Sequence, residues 1–130
     1  VQIYESVMRD QSGVPTTGLL KGIGYLKDNR LLPRGFDKRT ADPDVAVHGE
    51  AAGDDDFAAA GDRVRYVVRL GSAGGPFQIE AVLRYQPIGF RWAENLATYD
   101  AAEPRRFVNY YRSMSAASST WLARATVTVR

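Results

Sequence analysis

Residues 63–85 read RVRYVVRL GSAGGP FQIEAVLRY, and their alternation decides how the chain is read. Val64, Tyr66, Val68 and Leu70 share one face of an extended chain, and Arg63, Arg65 and Arg69 share the other, with Val67 the exception. After the Gly- and Pro-rich residues 71–76 the period of two resumes. Phe77, Ile79, Ala81, Leu83 and Tyr85 stand opposite Gln78, Glu80, Arg84 and Gln86. Two antiparallel strands with one wet face are expected. The connection between them is long for a tight hairpin, so pairing within one sheet and crossing between two sheets both stay open.

Outward from this stretch the pattern is again mostly extended. VQIYESVM at 1–8 alternates and runs into the turn residues Asp10, Gln11, Ser12 and Gly13. Residues 19–26 read as a strand rather than a helix, because Gly18, Gly22 and Gly24 would each weaken a helix by about 1 kcal/mol relative to Ala. Asp28, Asn29 and Arg30 predict a turn, and Pro33 predicts an extended 31–36. Residues 37–62 read as loop with one short strand at 45–48. Residues 87–92 end the strand that closes at Tyr85. Phe107, Tyr110, Tyr111 and Met114 then fall at i, i+3, i+4 and i+7, which predicts one α-helix at about 104–115 with Pro104 in its first turn. In the closing strand at 121–130, Trp121, Ala123, Ala125, Val127 and Val129 share the inward phase. The expected fold is mainly β: a single antiparallel β-sandwich-like domain over 1–130 with that one helix in its C-terminal region.

The chain has 130 residues, of which 45% are hydrophobic and 25% charged, which is enough for one core. It contains no cysteine, which removes disulfides, thiolate metal sites, covalent haem attachment and cysteine nucleophiles from these residues. No apolar run is long enough to span a bilayer, so membrane insertion is not expected. Charge is uneven. Residues 37–62 carry two basic and eight acidic side chains, whereas residues 63–130 carry ten basic and four acidic. The net charge is only +2, far from the Lys and Arg excess that tracks phosphates, so no nucleic-acid partner is expected.

Few residues are candidates for chemistry. His48 is the only histidine, which excludes a multi-histidine metal site. Asp54, Asp55, Asp56 and Asp62 form a weak calcium candidate, because a Gly-containing loop of carboxylates suits a hard cation, although the spacing is not that of an EF-hand. Glu80 with Glu94 or Asp100 is the only loose pair for glycoside hydrolysis, and no catalytic residue is assigned. Phe90, Trp92, Tyr110, Tyr111 and Trp121 would suit either a core or a sugar-stacking platform. A carbohydrate-binding module, possible with calcium through the acidic loop 54–62, is therefore the alternative reading.

The segments YESVM, TTGLLKGIGYLKDNRLLPRGFD, DDDF followed by GDRVRYVV, LRYQPIGFRWAENL and RRFVNYY resemble the C-terminal β-rich portion of bacterial multihaem cytochrome c-like proteins. The resemblance implies a non-catalytic accessory, structural or protein-interaction domain of a larger exported protein, periplasmic or extracellular. Its haem c would sit upstream of this chain, and its partner would be that haem-bearing domain or another protein. The parent would be an electron-transfer protein, and the start at Val1 is expected to be that of a piece cut from it. It also implies two structural polar networks, Asp28 with Asn29 and Arg30, and Arg91 with Glu94 and Asn95, each pinning a long loop to the sheets.

Overall fold

The alternating stretch at 77–85 forms a strand, but its partner is not 63–70. In a computed structural model that describes all of residues 1–130, Phe77–Tyr85 pairs antiparallel with Thr120–Val129, and 63–70 has no ladder and is exposed throughout. The strand with one wet face expected at 63–70 does not form. A strand also needs an edge to bond to, and period says nothing of the edge. The chain divides into two compact units, Val1–Tyr66 and Val67–Arg130.

In the first unit, β1 (Ser6–Arg9) lies between β2 (Pro15–Thr16) and β3 (Gly24–Asp28), all antiparallel. The Asp10 carboxylate accepts the backbone N–H groups of Ser12 at 2.9 Å and Val14 at 3.0 Å, which makes the turn from β1 to β2. The strand expected from residue 19 begins only at Gly24, because the Gly18 carbonyl accepts the N–H groups of Lys21 and Gly22 and curls that stretch into a turn. The short strand expected at 45–48 is replaced by a 3₁₀ helix (Pro43–Val45), with one bridge between His48 and Asp28. A single turn of helix, α1 (Glu50–Gly53), follows. The apolar core is Val7 and Phe57, the latter only 2% exposed.

In the second unit, β4 (Phe77–Tyr85) and β5 (Thr120–Val129) form a two-stranded ribbon, and α2 (Phe90–Ala97) packs on α3 (Ala102–Ser118). The helix expected at 104–115 is α3, extended at both ends. Its buried line is rotated from the expected one: Val108 is buried and Phe107, Tyr111 and Ser115 are half-buried, whereas Tyr110 and Met114 point to solvent. The sequence reading placed no helix at α2. With it, helix and strand take nearly equal shares of the chain, and the antiparallel sheets are small and open.

A β-bulge decides where Trp121 points. Phe77, Ile79, Ala81 and Leu83 face Val129, Val127, Ala125 and Ala123 across the ribbon, an apolar face without a charge. The register shifts between Leu83 and Arg84, so Trp121 stands opposite Arg84 instead of joining that face. Two guanidiniums lie over its ring, Arg84 at 5.0 Å and Arg124 at 5.3 Å. The inward phase expected for Trp121 is thus broken by one extra residue.

Burial is sparse. Only Val7, Phe57, Ala93 and Val108 are buried apolar residues, and every residue of β5 is exposed. Two ordinary units of half this mass would together expose about 8,200 Å². The chain exposes 10,353 Å², roughly 2,000 Å² beyond that scaling. Phe57→Ala should therefore destabilise the first unit by about 3–5 kcal/mol in urea unfolding, because it empties the only large side chain that is fully enclosed. Ile79→Ala on the open ribbon should cost under about 1 kcal/mol in the same measurement.

Candidate functional site

Asp28 ends β3, and with Asn29 and Arg30, which follow it, forms a closely bonded cluster in the first unit. Asp28 and Asn29 are buried, Asn29 to 3% exposure. The Asp28 carboxylate receives Arg30 as a fork, Nε at 2.9 Å and Nη2 at 2.6 Å. That fork holds the Arg30 guanidinium above its already high value, with desolvation opposing. The Asn29 Oδ1 accepts the Glu5 N–H at 2.9 Å, and its Nδ2 donates to the Ile3 carbonyl at 3.1 Å. The backbone of Asp28 exchanges two hydrogen bonds with His48, whose ring stacks on Tyr25 at 5.4 Å. The buried Asp28 and Asn29 thus tie residues 3–5 and 48 to the sheet. Arg91, Glu94 and Asn95 stand together on α2.

The four acids of the expected calcium loop are not gathered. No group of three or more acidic or histidine side chains is placed to hold a metal ion. Asp54 turns its carboxylate back onto the N–H of Asp56 at 2.9 Å, as Asp42 does with Asp44 and Asp37 with Arg39. Asp55 pairs with Arg39 at 3.3 Å on the surface. Asp62 accepts the Tyr4 hydroxyl at 2.7 Å. A cation is already built in: the Lys38 ammonium donates to the Ala51 carbonyl at 3.0 Å and to the Asp54 carbonyl, and sits over the Phe57 ring. The carbonyls that a metal would recruit are occupied by that ammonium. Such acidic runs serve as turn formers, and Lys38 was the signal the sequence reading missed.

Beside this cluster lies a groove of about 630 Å³, lined by Lys27, Asn29, Glu50, Asp54, Asp62, Arg63 and Arg65, with Phe57 at its base and the Gly49 backbone in its wall. Gly49 adopts φ +78°, and a Cβ there would meet the Leu26 carbonyl at 3.0 Å, so only glycine lets the chain pass so near β3. Lys27 is committed to the Ile3 carbonyl at 2.8 Å and to Glu5 at 3.6 Å, and Asp62 to Tyr4. Arg63 and Arg65 carry no such bond and are exposed. The groove can therefore offer two guanidiniums to an anionic group, with carboxylates and amides around them for hydroxyls.

The loose hydrolytic pair is not assembled: Glu80 is held by Arg124 at 2.5 Å on the ribbon, and Asp100 by Arg105 at 2.5 Å. The aromatic candidates are scattered over the second unit, with Trp121 beside two arginines and, like Phe90, Trp92 and Tyr110, exposed.

Three outcomes follow for measurement. Asn29→Ala orphans the Glu5 N–H and the Ile3 carbonyl and should cost about 2 kcal/mol in urea unfolding. Calcium should leave the thermal midpoint unmoved, whereas Lys38→Ala should lower it. Burial, the Asp62 hydrogen bond and its charge push the Tyr4 phenol up to about 12. The neutral phenol is thus favoured by folding, a contribution intact below about pH 10, the ordinary tyrosine value, and lost as pH rises through about 12. In an absorbance titration one of the seven tyrosines should ionise last, and Tyr4→Phe should delete that phase.

No protein-family model matches this chain, and neither a curated protein nor a solved structure does.

Proposed function

We propose that this chain is a non-catalytic accessory β-domain of a larger exported cytochrome c-like protein, periplasmic or extracellular, that serves packing or protein interaction. The haem c sites of that electron-transfer parent lie outside these residues. The uncovered apolar surface carries the proposal. A chain with roughly 2,000 Å² beyond the surface of two compact units has an area to give that matches an extensive, lasting interface. The charge-free face of the β4 and β5 ribbon is the plainest part of it. In this reading the open sheets gain the second layer of a sandwich-like fold from the neighbouring part.

The test uses the purified chain with a far-UV spectrum showing it folded. It should bind a hydrophobic dye such as ANS strongly in that state and show no Soret band of its own. A folded chain that takes up no dye, or one with intrinsic haem absorbance, would contradict the proposal.

The groove favours a second reading, a carbohydrate-binding module acting without calcium. Its two unpartnered guanidiniums suit a sugar that bears a carboxylate, and its polar walls suit hydroxyls. No aromatic platform lines it, since Phe57 is enclosed. An acidic oligosaccharide at a hundred times its dissociation constant should stabilise the chain by roughly 2.7 kcal/mol in a thermal-shift experiment, and Arg63→Ala with Arg65→Ala should abolish the shift. No shift with any uronic-acid oligomer would remove this reading.

A further inference from the structure

The stretch at 66–70 has the pattern of a strand and none of its bonds. Tyr66, Val67, Val68 and Leu70 are all exposed, Val67 to 81%. The ribbon beside which it stands in sequence has the converse defect. Each of its two strands has one partner, so β4 and β5 each leave one edge of N–H and carbonyl groups open. An apolar extended segment and an open apolar edge are the two halves of one β-ladder.

We propose that residues 66–70 of one copy add as a third strand to the open edge of β4 in a second copy, reciprocally, giving a closed two-fold dimer. Side chains select the edge and the register. Both candidate strands alternate, and each has one apolar residue on its polar face: Val67 in the segment and Val82 in β4. Antiparallel pairing with Val67 opposite Val82 places these two exceptions together. The same register sets Tyr66 opposite Leu83, Val68 opposite Ala81 and Leu70 opposite Ile79, which extends the charge-free face of the ribbon by one strand. It also sets Arg69 opposite Glu80, the only acid of the ribbon. Shifting by two residues in either direction breaks both the valine pair and the ion pair, and shifting by one turns the apolar side chains to the wrong face. The edge of β5 offers Arg69 no carboxylate, since its polar phase is Arg124, Thr126 and Thr128.

A second copy is the occupant because the local alternative is not taken. Pairing 66–70 with its own β4 would close only a short loop and would be entropically cheap, yet the chain leaves both unpaired. After Leu70 the backbone instead folds into a turn, with Ala73 N–H donating to the Leu70 carbonyl at 3.1 Å and Gly71 at φ +57°. A connection that disfavours the local hairpin while keeping both halves is the condition for exchange between copies. Five residue pairs match an ordinary strand, and two such exchanges draw on a surface that each chain already has uncovered.

The chain contains no cysteine, so a disulfide reports the register cleanly. Directly opposed residues lie about 4.5–5.5 Å apart at Cα, within disulfide reach. The full chain carrying V67C and V82C together should, on mild oxidation, run as a covalent dimer of twice 14.3 kDa that reducing agent dissolves. V67C alone and V82C alone should stay monomeric on the same gel. Light scattering of the unmodified chain should give the dimer mass, and R69E should weaken the dimer at least tenfold. Val67 is exposed and Val82 half-buried, and far-UV circular dichroism checks that each variant folds. A disulfide that closes within one chain, free thiols after oxidation, or a monomer mass at high concentration would each overturn the proposal.

Discussion

A chain that encloses only four apolar side chains must be held together by something other than a core. Val7, Phe57, Ala93 and Val108 are spread over two units, two in each. Units of about 65 residues are already near the size at which hydrophobic burial barely exceeds chain entropy. The constraint explains why polar groups do the fastening. In the first unit, Asn29 satisfies two backbone groups of the N-terminal stretch, Arg30 neutralises the buried Asp28, and Lys38 ties two loop carbonyls over Phe57. Each of these would be a liability if left half-made, because a buried group without its partner costs more than the bond contributes. No buried side-chain polar atom lacks a partner.

The same scarcity explains the exposed surface of the second unit. The ribbon presents one face of eight apolar residues and an opposite face where Glu80, Arg84, Arg124 and Trp121 interlock. Side chains so arranged specify which way the sheet should be covered, though nothing within the unit covers it. The groove beside Arg63 and Arg65 is a concave feature with uncommitted charge.

What could be read in the sequence was local. The period of two over 77–85 and 121–130 reports extended backbone directly, and the 3.6 period from Phe107 reports α3. Pairing is nonlocal, so the alternation at 63–70 could not reveal that β4 would choose β5 across more than thirty residues. The acids Asp54, Asp55, Asp56 and Asp62 looked like a cation loop because turn-forming carboxylates and ligating carboxylates have the same composition. They differ only in what the carbonyls nearby are doing, and Lys38 had taken those. Helix α2 was hidden by Pro87 and Gly89, which read as chain breakers; they stand before Phe90, outside the helix, and the spacing of Phe90, Ala93 and Ala97 was the available signal. The Asp28, Asn29 and Arg30 cluster was legible as a polar tripeptide between apolar runs, whereas the Tyr4 and Asp62 bond, 58 residues apart, was not.

The heat-capacity change on unfolding measures how much apolar surface the folded chain removes from water, and so tests the account at its base. An ordinary 130-residue domain gives roughly 1.6–2.0 kcal/mol/K. Because this chain leaves roughly a quarter of the usual buried area open, calorimetry at a concentration where it is monomeric should return about three-quarters of that value. A full-sized heat-capacity change from the lone chain would mean that it covers its own surface, and the account would fail.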